Sequence, residues 1–389
     1  MKLKKILAVL LPAAMIAGML SGCGESTASS SKAASSEKTS SASEAASSSK
    51  ASSAVSASSE KSSSASAAEF VTIVDAVDRE VEIPAEVTRV GVINRYNLEL
   101  LRACGHIDKV VAVDESIIEN HIYWPEFSEE QSFGSQSEVN YETIAELGPQ
   151  VVVTPFYSED VEKALAPFDI PVVALIGYDQ DVNRQVGIVE SILGETEKSA
   201  ALRSFYQDLY DELSSVAATI PEEEKKTAVW ESIKDYSIAN GSNTWGEMIE
   251  LPGGINVFSD ASFESSDVDA EAFIVADPDY IFKMVAGSGV DLSGYTPPSE
   301  EDYLTAQSAY LERPGFGEIQ AVKDGNVFFV TSFCYGGMGK MIGSAYIAKL
   351  MYPEYYTDLD PDEVFATWME TFQNIDFVEG HTWRAGDHS

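Results

Sequence analysis

The sequence predicts an α/β protein with two Rossmann-like lobes, each built on a largely parallel sheet, joined by a single long helix. Two observations predict this class. Short apolar runs alternate with helical patterns in both halves of the folded part, which is typical of α/β units with parallel strands. Between the halves, residues 195–219 carry a helical pattern, and a helix of that length spans about 35 Å. We assign the lobes to 70–194 and 220–389, although a long surface helix within one domain would give a similar pattern.

The first lobe contains apolar runs that predict strands, with helical patterns between them. Cys104 falls on the apolar face of the helix that follows the first strand, so we expect it in the core. The predicted strands are 89–93, 110–113, 151–154 and 171–176, and the predicted helices are 98–104 and 159–166.

The connecting segment and the second lobe continue this pattern. Helical periodicity runs from Asp181 to about Ile220 and is broken once, at Gly194. The helix after the break is predicted to bury a stripe of Ala201, Phe205, Leu209 and Leu213. The second lobe is predicted to have strands at 227–233, 236–239, 279–285 and 326–331, and helices at 245–250, 301–311, 341–351 and 361–372.

The N-terminus has the pattern of an export signal. Three lysines precede an apolar run over 6–20, which is too short to span a bilayer. The run ends in Leu-Ser-Gly-Cys at 20–23, which resembles the lipobox of bacterial lipoproteins, where the cysteine is acylated and becomes the new N-terminus. We therefore predict a lipoprotein signal peptide over 1–22 and a lipid anchor at Cys23. The alternative is a plain secretory signal with an incidental cysteine.

Residues 23–69 are predicted to be the lipidated cysteine and a disordered tether. The stretch is almost wholly Ser and Ala, and Val55 is its largest apolar side chain. Such a composition buries too little surface to offset the entropy of ordering. A flexible chain of this length has a root-mean-square span of about 40 Å, so it would hold a folded domain near a membrane. This arrangement suits a Gram-positive cell, which has no outer membrane.

Composition disfavours several classes of partner and site. A net charge of -38 repels nucleic acid and anionic lipid. Cys104 and Cys334 lie far apart, and no two histidines have zinc-type spacing, so we expect no metal and no cofactor. His121 alone lies in a loop that could approach a cleft. The chain lacks a Gly-x-Ser-x-Gly elbow, and 336–340 lacks the full phosphate-loop pattern, so we expect no enzyme.

Two segments, 140–153 and 269–282, have similar patterns, one in each predicted lobe. Each begins with an Asn or Asp suited to cap a helix, and each continues through a short apolar helix and a proline into an apolar strand. Each also has a glutamate two residues after the cap, Glu142 and Glu271. Stabilisation of the helix dipole would explain either glutamate alone. Their matched placement equally indicates a surface that docks at two points.

Several segments between 71 and 368 have the order and spacing of a known family, although no single one is diagnostic. They include Arg-Pro-Gly-Phe-Gly-Glu at 313–318, which leads into Ala-Val-Lys-Asp-Gly-Asn-Val at 321–327. The others are 71–84, 89–93, 98–101, 140–142, 149–153 and 197–200. The chain thereby resembles the substrate-binding proteins of iron-siderophore, haem and cobalamin ABC importers, which have two lobes joined by one helix.

The resemblance implies a protein that captures a solute outside the cytoplasm and delivers it to an ABC permease. It implies docking through one glutamate per lobe, paired with arginines of the membrane subunits, and the matching residues are Glu142 and Glu271. It also implies a binding cleft between the lobes that closes only slightly. We expect a monomer, attached to the outer face of the membrane by its acyl chain, with no nucleic-acid partner.

The cleft loops should follow the carboxyl ends of the parallel strands, where such sheets bind ligands. These loops are rich in aromatic residues, which suit a bulky chelate, and Arg95 can meet its negative charge. Surface packing is the alternative for each tyrosine. Lys234, Lys283 and Lys340 are lesser cationic candidates. The predicted ligand-binding residues are Arg95, Tyr96, Tyr157, Tyr236 and Tyr335.

The expected ligand is a ferric-siderophore-type chelate of low net charge, such as a hydroxamate. A strongly anionic tris-catecholate complex would need more cations than Arg95 alone. A corrinoid is the second choice because it needs little charge. Haem is the third, because it takes an axial His or Tyr, and His121 or a cleft tyrosine could supply one. A secreted hydrolase or an adhesive lipoprotein would be the alternatives from other classes.

Overall fold

The computed structural model describes most of the chain from Glu69 onward, and Ala68–Ser389 forms one compact unit. The predicted signal peptide, the predicted anchor at Cys23, the tether up to residue 68 and the predicted cleft residue Tyr335 lie outside the described residues. The described ranges are 69–155, 157–175, 181–239, 245–259, 267–286, 295–332 and 336–388.

The described residues form two mainly parallel sheets and a separate hairpin. The strands are β1 (Phe70–Val74), β2 (Glu80–Pro84), β3 (Val90–Val92), β4 (Val110–Ala112), β5 (Val151–Thr154), β6 (Val172–Ala174), β7 (Thr227–Glu231), β8 (Ile255–Asn256), β9 (Tyr280–Met284), β10 (Val327–Val330) and β11 (Thr382–Arg384). The first sheet has the order β4-β3-β5-β6, with all neighbours parallel. The second has the order β11-β10-β9-β7-β8 and is parallel except for β11. The predicted α/β class is confirmed.

Helices connect the strands of each sheet, as the alternating sequence pattern predicts. They are α1 (Arg95–Ala103), α2 (Glu115–Glu119), α3 (Tyr141–Leu147), α4 (Glu159–Leu165), α5 (Val182–Leu193), α6 (Glu197–Ala217), α7 (Glu247–Glu250), α8 (Ala270–Ala276), α9 (Glu300–Leu311), α10 (Gln320–Lys323), α11 (Gly339–Met351) and α12 (Pro361–Thr367). The helix predicted over 361–372 has two parts: α12 ends at Thr367, and Trp368–Gln373 continues as a π-helix.

One predicted strand, 236–239, is absent from the sheets that the described residues form. This segment makes only two isolated bridges, between Glu231 and Ile238 and between Ser237 and Asp267. Tyr236 has a φ of 60°, and its backbone N–H donates to the Glu231 carboxylate at 2.6 Å. A left-handed residue cannot continue an extended strand, so the chain turns here.

The long connecting helix is α6, which begins after the cap residue Thr196. The predicted stripe is partly wrong, because Ala201 is exposed and Phe205 is only half-buried. The buried face instead consists of Ser199, Leu202, Tyr206, Leu209 and Leu213. The register differs because side chains of both lobes contact this helix, and this broadens its buried face beyond the single stripe that periodicity suggests.

The two lobes repeat the same strand order. The order β4-β3-β5-β6 in the first sheet corresponds to β8-β7-β9-β10 in the second. The extra strand β11 extends the second sheet beyond β10. The echoed segments occupy corresponding places, because α3 precedes β5 and α8 precedes β9, and both helices have seven residues. The similar sequence patterns therefore mark equivalent elements.

The lobes share one apolar core along α6. A single cluster of buried side chains includes Val90 of the first lobe, Leu209 of α6 and Trp368 of the second lobe. Hydrogen bonds cross the same boundary, since the Tyr206 hydroxyl donates to the Met338 carbonyl at 2.9 Å. A shared, close-packed core resists large relative motion. The small closure of the cleft stays a prediction.

Candidate functional site

The carboxyl end of β3 places Arg95 and Tyr96 at the start of α1. Asn94 has a φ of 86°, a conformation that Asn tolerates better than most residues, and its side chain accepts a hydrogen bond from the Tyr96 N–H at 2.9 Å. This cap explains why α1 begins at Arg95, three residues before the predicted start. The two predicted ligand-binding residues therefore lie at the edge of the sheet where α/β folds bind ligands.

Tyr96 is also a point of contact between the lobes. A Cβ atom at Gly336 would lie 2.7 Å from the Tyr96 ring, and a Cβ atom at Gly337 would lie 2.9 Å from the Tyr96 Cβ. Any other residue at either position would force the backbone away from the ring. The two glycines thus allow the turn before α11 to approach Tyr96, which brings both lobes to one site.

Arg95 is partly buried beside the same ring. Its Nη2 donates to the Tyr96 hydroxyl at 3.0 Å, and its guanidinium lies 4.7 Å from the ring centroid. Burial disfavours the charge, but Tyr96 and Glu99 favour it, and the pKa of Arg95 is raised overall. The site therefore contains a permanent positive charge that is held in place by an aromatic neighbour.

Lys340 adds a second cation on the facing lobe. It lies in the first turn of α11, and its backbone N–H donates to the Gly337 carbonyl at 3.4 Å. Burial lowers the pKa of Lys340 to about 8, although Glu247 partly offsets this effect. The backbone of Lys340 thus contacts the turn that approaches Tyr96, while its ammonium group lies within electrostatic reach of Glu247.

A cavity of about 470 Å³ opens between helices of the two lobes, and Met341, which follows Lys340 in the chain, lines it. It is bounded by the start of α5 in the first lobe, the middle of α6, and α7 and α11 in the second lobe. Among the described residues, its lining combines aromatic, apolar and acidic side chains, and it includes Asp181, Tyr206, Tyr210, Glu247, Glu250 and Met341. Sequence reasoning missed this cavity, because its lining comes from four separate helices.

Tyr157 and Tyr236, the other described members of the predicted ligand set, have protein partners. The Tyr157 hydroxyl donates to Glu162 at 2.8 Å, and the Arg79 guanidinium lies 3.9 Å from its ring centroid. The Tyr236 ring packs edge-on against Phe273 and Phe316 in the core of the second lobe. These contacts favour a packing role for the Tyr236 ring. Tyr157 is 38% exposed and keeps a free face.

Two of the three lesser cationic candidates belong to ion pairs within the second lobe. Lys234 pairs with Asp267 on the surface. Lys283 is buried and donates to the Ser232 carbonyl at 2.6 Å, to the Ile233 carbonyl at 3.0 Å and to Asp235 at 3.2 Å. These contacts commit both lysines to the fold. Lys340, the third candidate, interacts with Glu247, and its contact with a ligand stays a prediction.

A buried glutamate at the end of β7 organises this part of the second lobe. The Glu231 carboxylate is fully buried and pairs with Arg313 at 2.9 Å and with Lys283 at 3.4 Å. The Tyr310 hydroxyl also donates to it. Sequence reasoning did not identify this cluster. The available signal was a lone carboxylate that ends an apolar strand, Thr-Ala-Val-Trp-Glu at 227–231.

The described histidines have structural or solvent-exposed positions. The His106 ring hydrogen-bonds to the Gly194 carbonyl at 3.0 Å. His381 is buried and bonds to the Thr331 hydroxyl at 2.8 Å, so it belongs to the packed core and not to a loose tail. His121 is exposed. Within the described ranges, no three His, Cys, Asp or Glu side chains are grouped as a metal site would require.

Glu142 and Glu271 are both exposed at the second position of their helices, α3 and α8. A crossover helix runs antiparallel to the strands that it connects, so both helices start at the carboxyl edges of their sheets. This is the edge at which the cleft loops lie. The two glutamates therefore mark equivalent positions on the two lobes, and their role in docking stays a prediction.

Comparison with known proteins decides the family. The sequence profile of the family described as periplasmic binding protein matches residues 90–332, more than half of the chain. The chain belongs to this family. It is the substrate-binding protein of an ABC importer, as the resemblance implied, and works outside the cytoplasm with membrane permease subunits.

Individual relatives are distant but cover most of the chain. The molybdate-binding protein MolA of Haemophilus influenzae is 21% identical over 78% of this chain and 91% of its own length. YvrC of Bacillus subtilis, an uncharacterised ABC transporter substrate-binding lipoprotein, is 26% identical over 74% and 87%. The crystal structure of the TroA-like binding protein FepB from Veillonella parvula superposes with a TM-score of 0.66 at 18% identity, covering 81% of this chain and 99% of FepB. The last likeness establishes the two-lobed fold.

The family also bears on catalysis and location. Its members bind solutes and are not enzymes. In the part of the chain that is described, no helix is long and apolar enough to cross a membrane.

Proposed function

We propose that this substrate-binding protein captures a ferric-siderophore-type chelate of low net charge between its lobes. The observation that supports this cargo is the meeting of Arg95 and Tyr96 of the first lobe with the Gly336–Gly337 turn of the second. A cation beside an aromatic face therefore lies where the two lobes approach each other.

The chemistry of such chelates matches these groups. The oxygens that coordinate Fe³⁺ in a hydroxamate carry negative charge even when the whole complex is neutral, and a guanidinium donates well to such oxygens. The organic frame offers flat apolar surface for contact with an aromatic ring. Arg95 and Tyr96 would thus bind the head of the chelate from the first lobe while Lys340 approaches from the second.

A small oxyanion is the second candidate. The relative MolA is named for binding molybdate, and Arg95 and Lys340 are also suited to a compact anion. A corrinoid or haem would use the aromatic surface without needing either cation.

We further propose that the chain is held at the outer face of the membrane by an acyl group on Cys23, and that it docks on its permease through Glu142 and Glu271. The Leu-Ser-Gly-Cys signature at 20–23 supports the anchor, and the relative YvrC is named a lipoprotein. The exposed, equivalent positions of the two glutamates support the docking proposal.

Fluorescence titration tests the cargo. Trp230 is buried on β7 and Trp245 lies just before α7, so a ligand between the lobes should quench their emission. The purified unit from Ala68 to Ser389 is titrated with a ferric hydroxamate, a corrinoid, haem and molybdate. Saturable quenching by the hydroxamate at micromolar or lower concentration is expected. If only another of these ligands binds, the proposed cargo is wrong and the importer assignment stands.

A further inference from the structure

A carboxylate is buried one helical turn after Arg95. Glu99 is 8% exposed and follows Arg95 by four residues on α1, so the two side chains share one face of the helix, with Cβ atoms about 6 Å apart. Burial raises the pKa of Glu99, and the positive charge of Arg95 opposes that rise. In return, the charge of Glu99 favours the charged form of Arg95. Arg95 and Glu99 therefore form an electrostatic pair at the cleft end of α1.

Further groups on and near this face of α1 balance the pair. Arg102 lies three residues after Glu99 and is 3% exposed, and its charge also acts on Glu99. The Arg102 Nη2 pairs with Glu126 at 2.6 Å. The Tyr123 hydroxyl donates to Glu99 at 3.2 Å. Two arginines are thus matched by two carboxylates, which avoids the high cost of an unbalanced buried charge.

Glu99 also lies at the boundary between the lobes. Its backbone carbonyl accepts from the side-chain amide of Gln373, in the second lobe, at 3.1 Å. The ring of its partner Tyr123 contacts the ring of Tyr295, also of the second lobe, with centroids 5.5 Å apart. Because Glu99 is almost fully buried, water screens its charge only weakly. A ligand that binds Arg95 would therefore also experience the charge of Glu99.

We propose that Glu99 determines the charge specificity of the cleft. Its carboxylate cancels much of the positive field of Arg95, so a neutral chelate is bound in preference to an anionic one. Glu99 need not touch the ligand, because it acts through Arg95 as a positioning residue. This inference rests on the proposed function and assigns the low net charge of the proposed cargo to one side chain. A purely structural Glu99 would stabilise the fold without affecting the choice between ligands.

The test compares two ferric chelates of similar size and different charge. One is a linear ferric tris-hydroxamate, which is neutral because its hydroxamate anions balance Fe³⁺. In the other, one hydroxamate is replaced by a catecholate, which adds one negative charge at the metal centre. Purified mature protein is titrated with each chelate and followed by tryptophan fluorescence. The wild-type protein is expected to bind the neutral chelate more tightly.

The decisive variant removes only the charge. Glu99→Gln keeps the size of the side chain and an oxygen that can accept from Tyr123. The ratio of the affinity for the anionic chelate to that for the neutral chelate should increase about five- to tenfold, as expected for loss of a unit charge about 10 Å from the metal centre at an effective dielectric constant of about 30. Glu99→Asp keeps the charge and should keep the wild-type ratio.

Two further variants separate charge specificity from a structural effect and from overall charge. Tyr123→Phe removes the hydrogen bond to Glu99 but no charge, so the ratio should stay at the wild-type value even where both affinities decrease. Glu126→Gln removes the same charge from an exposed side chain beside Arg102. Because water screens an exposed charge, this variant should change the ratio by less than about twofold.

The outcomes separate the two proposals. An unchanged ratio in Glu99→Gln, or an equal increase in Glu126→Gln, would overturn the role of Glu99 while leaving the proposed cargo intact. A wild-type protein that binds the anionic chelate more tightly would overturn this role even if Glu99→Gln did not fold. Binding of neither chelate would contradict the proposed function itself.

Discussion

The two lobes have the same strand order, but the charged residues that follow or end the corresponding strands β3 and β7 differ in sign. In the first lobe, β3 leads to Arg95, which lies at the cleft beside Tyr96. In the second lobe, β7 ends in Glu231, which is buried and tied to Arg313 and Lys283. Equivalent strand ends thus lead to a proposed ligand-binding residue in one lobe and to a buried ion-pair cluster in the other. Topology fixes where charged groups gather, but the partners of each group decide what they do.

The largest expected effect comes from the pair of equivalent glutamates, one in each lobe. Glu142→Ala combined with Glu271→Ala should abolish uptake of the cargo by cells, because both exposed glutamates would be needed to hold the protein on its permease. Affinity for the cargo, measured by tryptophan fluorescence, should stay at the wild-type value. The double variant Glu301→Ala and Glu354→Ala, which removes two other exposed carboxylates, is the control. Normal uptake by the docking variant would refute the docking proposal.

The next largest effect is on the stability of the second lobe, where Glu231 occupies the strand end that corresponds to Arg95 in the first lobe. Glu231→Ala would leave the buried Lys283 and Arg313 without their shared carboxylate, and breaking a buried ion pair costs about 3–5 kcal/mol. The free energy of unfolding from urea denaturation should decrease by that amount. Glu354→Ala should change it by less than about 0.5 kcal/mol. A decrease below about 1 kcal/mol for Glu231→Ala would mean that water replaces the lost carboxylate.

Arg95→Ala should have the opposite profile. A hydrogen bond to a charged group that is lost in a partly buried site weakens binding by about 1–3 kcal/mol, so affinity for the ferric chelate should decrease accordingly. The free energy of unfolding should decrease by less than in Glu231→Ala, because the neighbouring Glu99 keeps its hydrogen bond from the Tyr123 hydroxyl. Arg95→Lys keeps the positive charge but loses the paired N–H donors of the guanidinium. Its affinity for the chelate should lie between those of the wild-type protein and Arg95→Ala. Unchanged affinity in Arg95→Ala would remove this residue from the site.

The smallest effect is a pH dependence at Lys340. Because burial lowers the pKa of Lys340 to about 8, the ammonium is lost as the pH rises through that value, and chelate affinity should decrease by about two- to fivefold. Lys340→Arg stays charged and should show no such decrease. An identical pH profile in both proteins would show that the charge of Lys340 does not contribute to binding.

The same pKa predicts how stability changes with pH. The pKa of a lysine in an unfolded chain is about 10.4. Between about pH 8 and about pH 10.4, Lys340 therefore holds a proton more often in the unfolded chain than in the folded one. The contribution of Lys340 therefore makes the folded protein more stable as the pH rises through this window. Lys340→Met should remove this rise, which urea denaturation at several pH values would detect.

The elements of the fold were largely predictable from the sequence, because each depends on local residues. The strand at 151–154 was predicted with its observed bounds, since three consecutive valines and a threonine follow a proline and a helix end. Asp360 caps α12 by accepting from the Asp362 N–H at 3.0 Å, and the Asp-Pro pair at 360–361 is a helix-start signal in the sequence itself. Cys104 was expected in the core; it is buried, and burial raises the pKa of its thiol to about 12. Periodicity and capping are properties of neighbouring residues, so the sequence contains them.

The candidate site was only partly predictable. Arg95 and Tyr96 were identified because a strand end can be read from the sequence, and strand ends gather at one edge of a parallel sheet. The sequence could not predict that Tyr236 packs into a core or that Lys283 pairs with Glu231 and Asp235, because those partners lie tens of residues away. It also gave no sign that Tyr96 meets Gly336 and Gly337 across the lobes.

By itself, the sequence determined the α/β class, the two lobes, the long helix and the residues at the strand ends. The tertiary structure alone decided which face of α6 is buried, which lysines are tied into ion pairs, and where a cavity forms between the helices. The physical reason is that a side chain's burial and charge partners depend on elements distant in the chain. Alternation and helix caps depend only on residues a few positions apart.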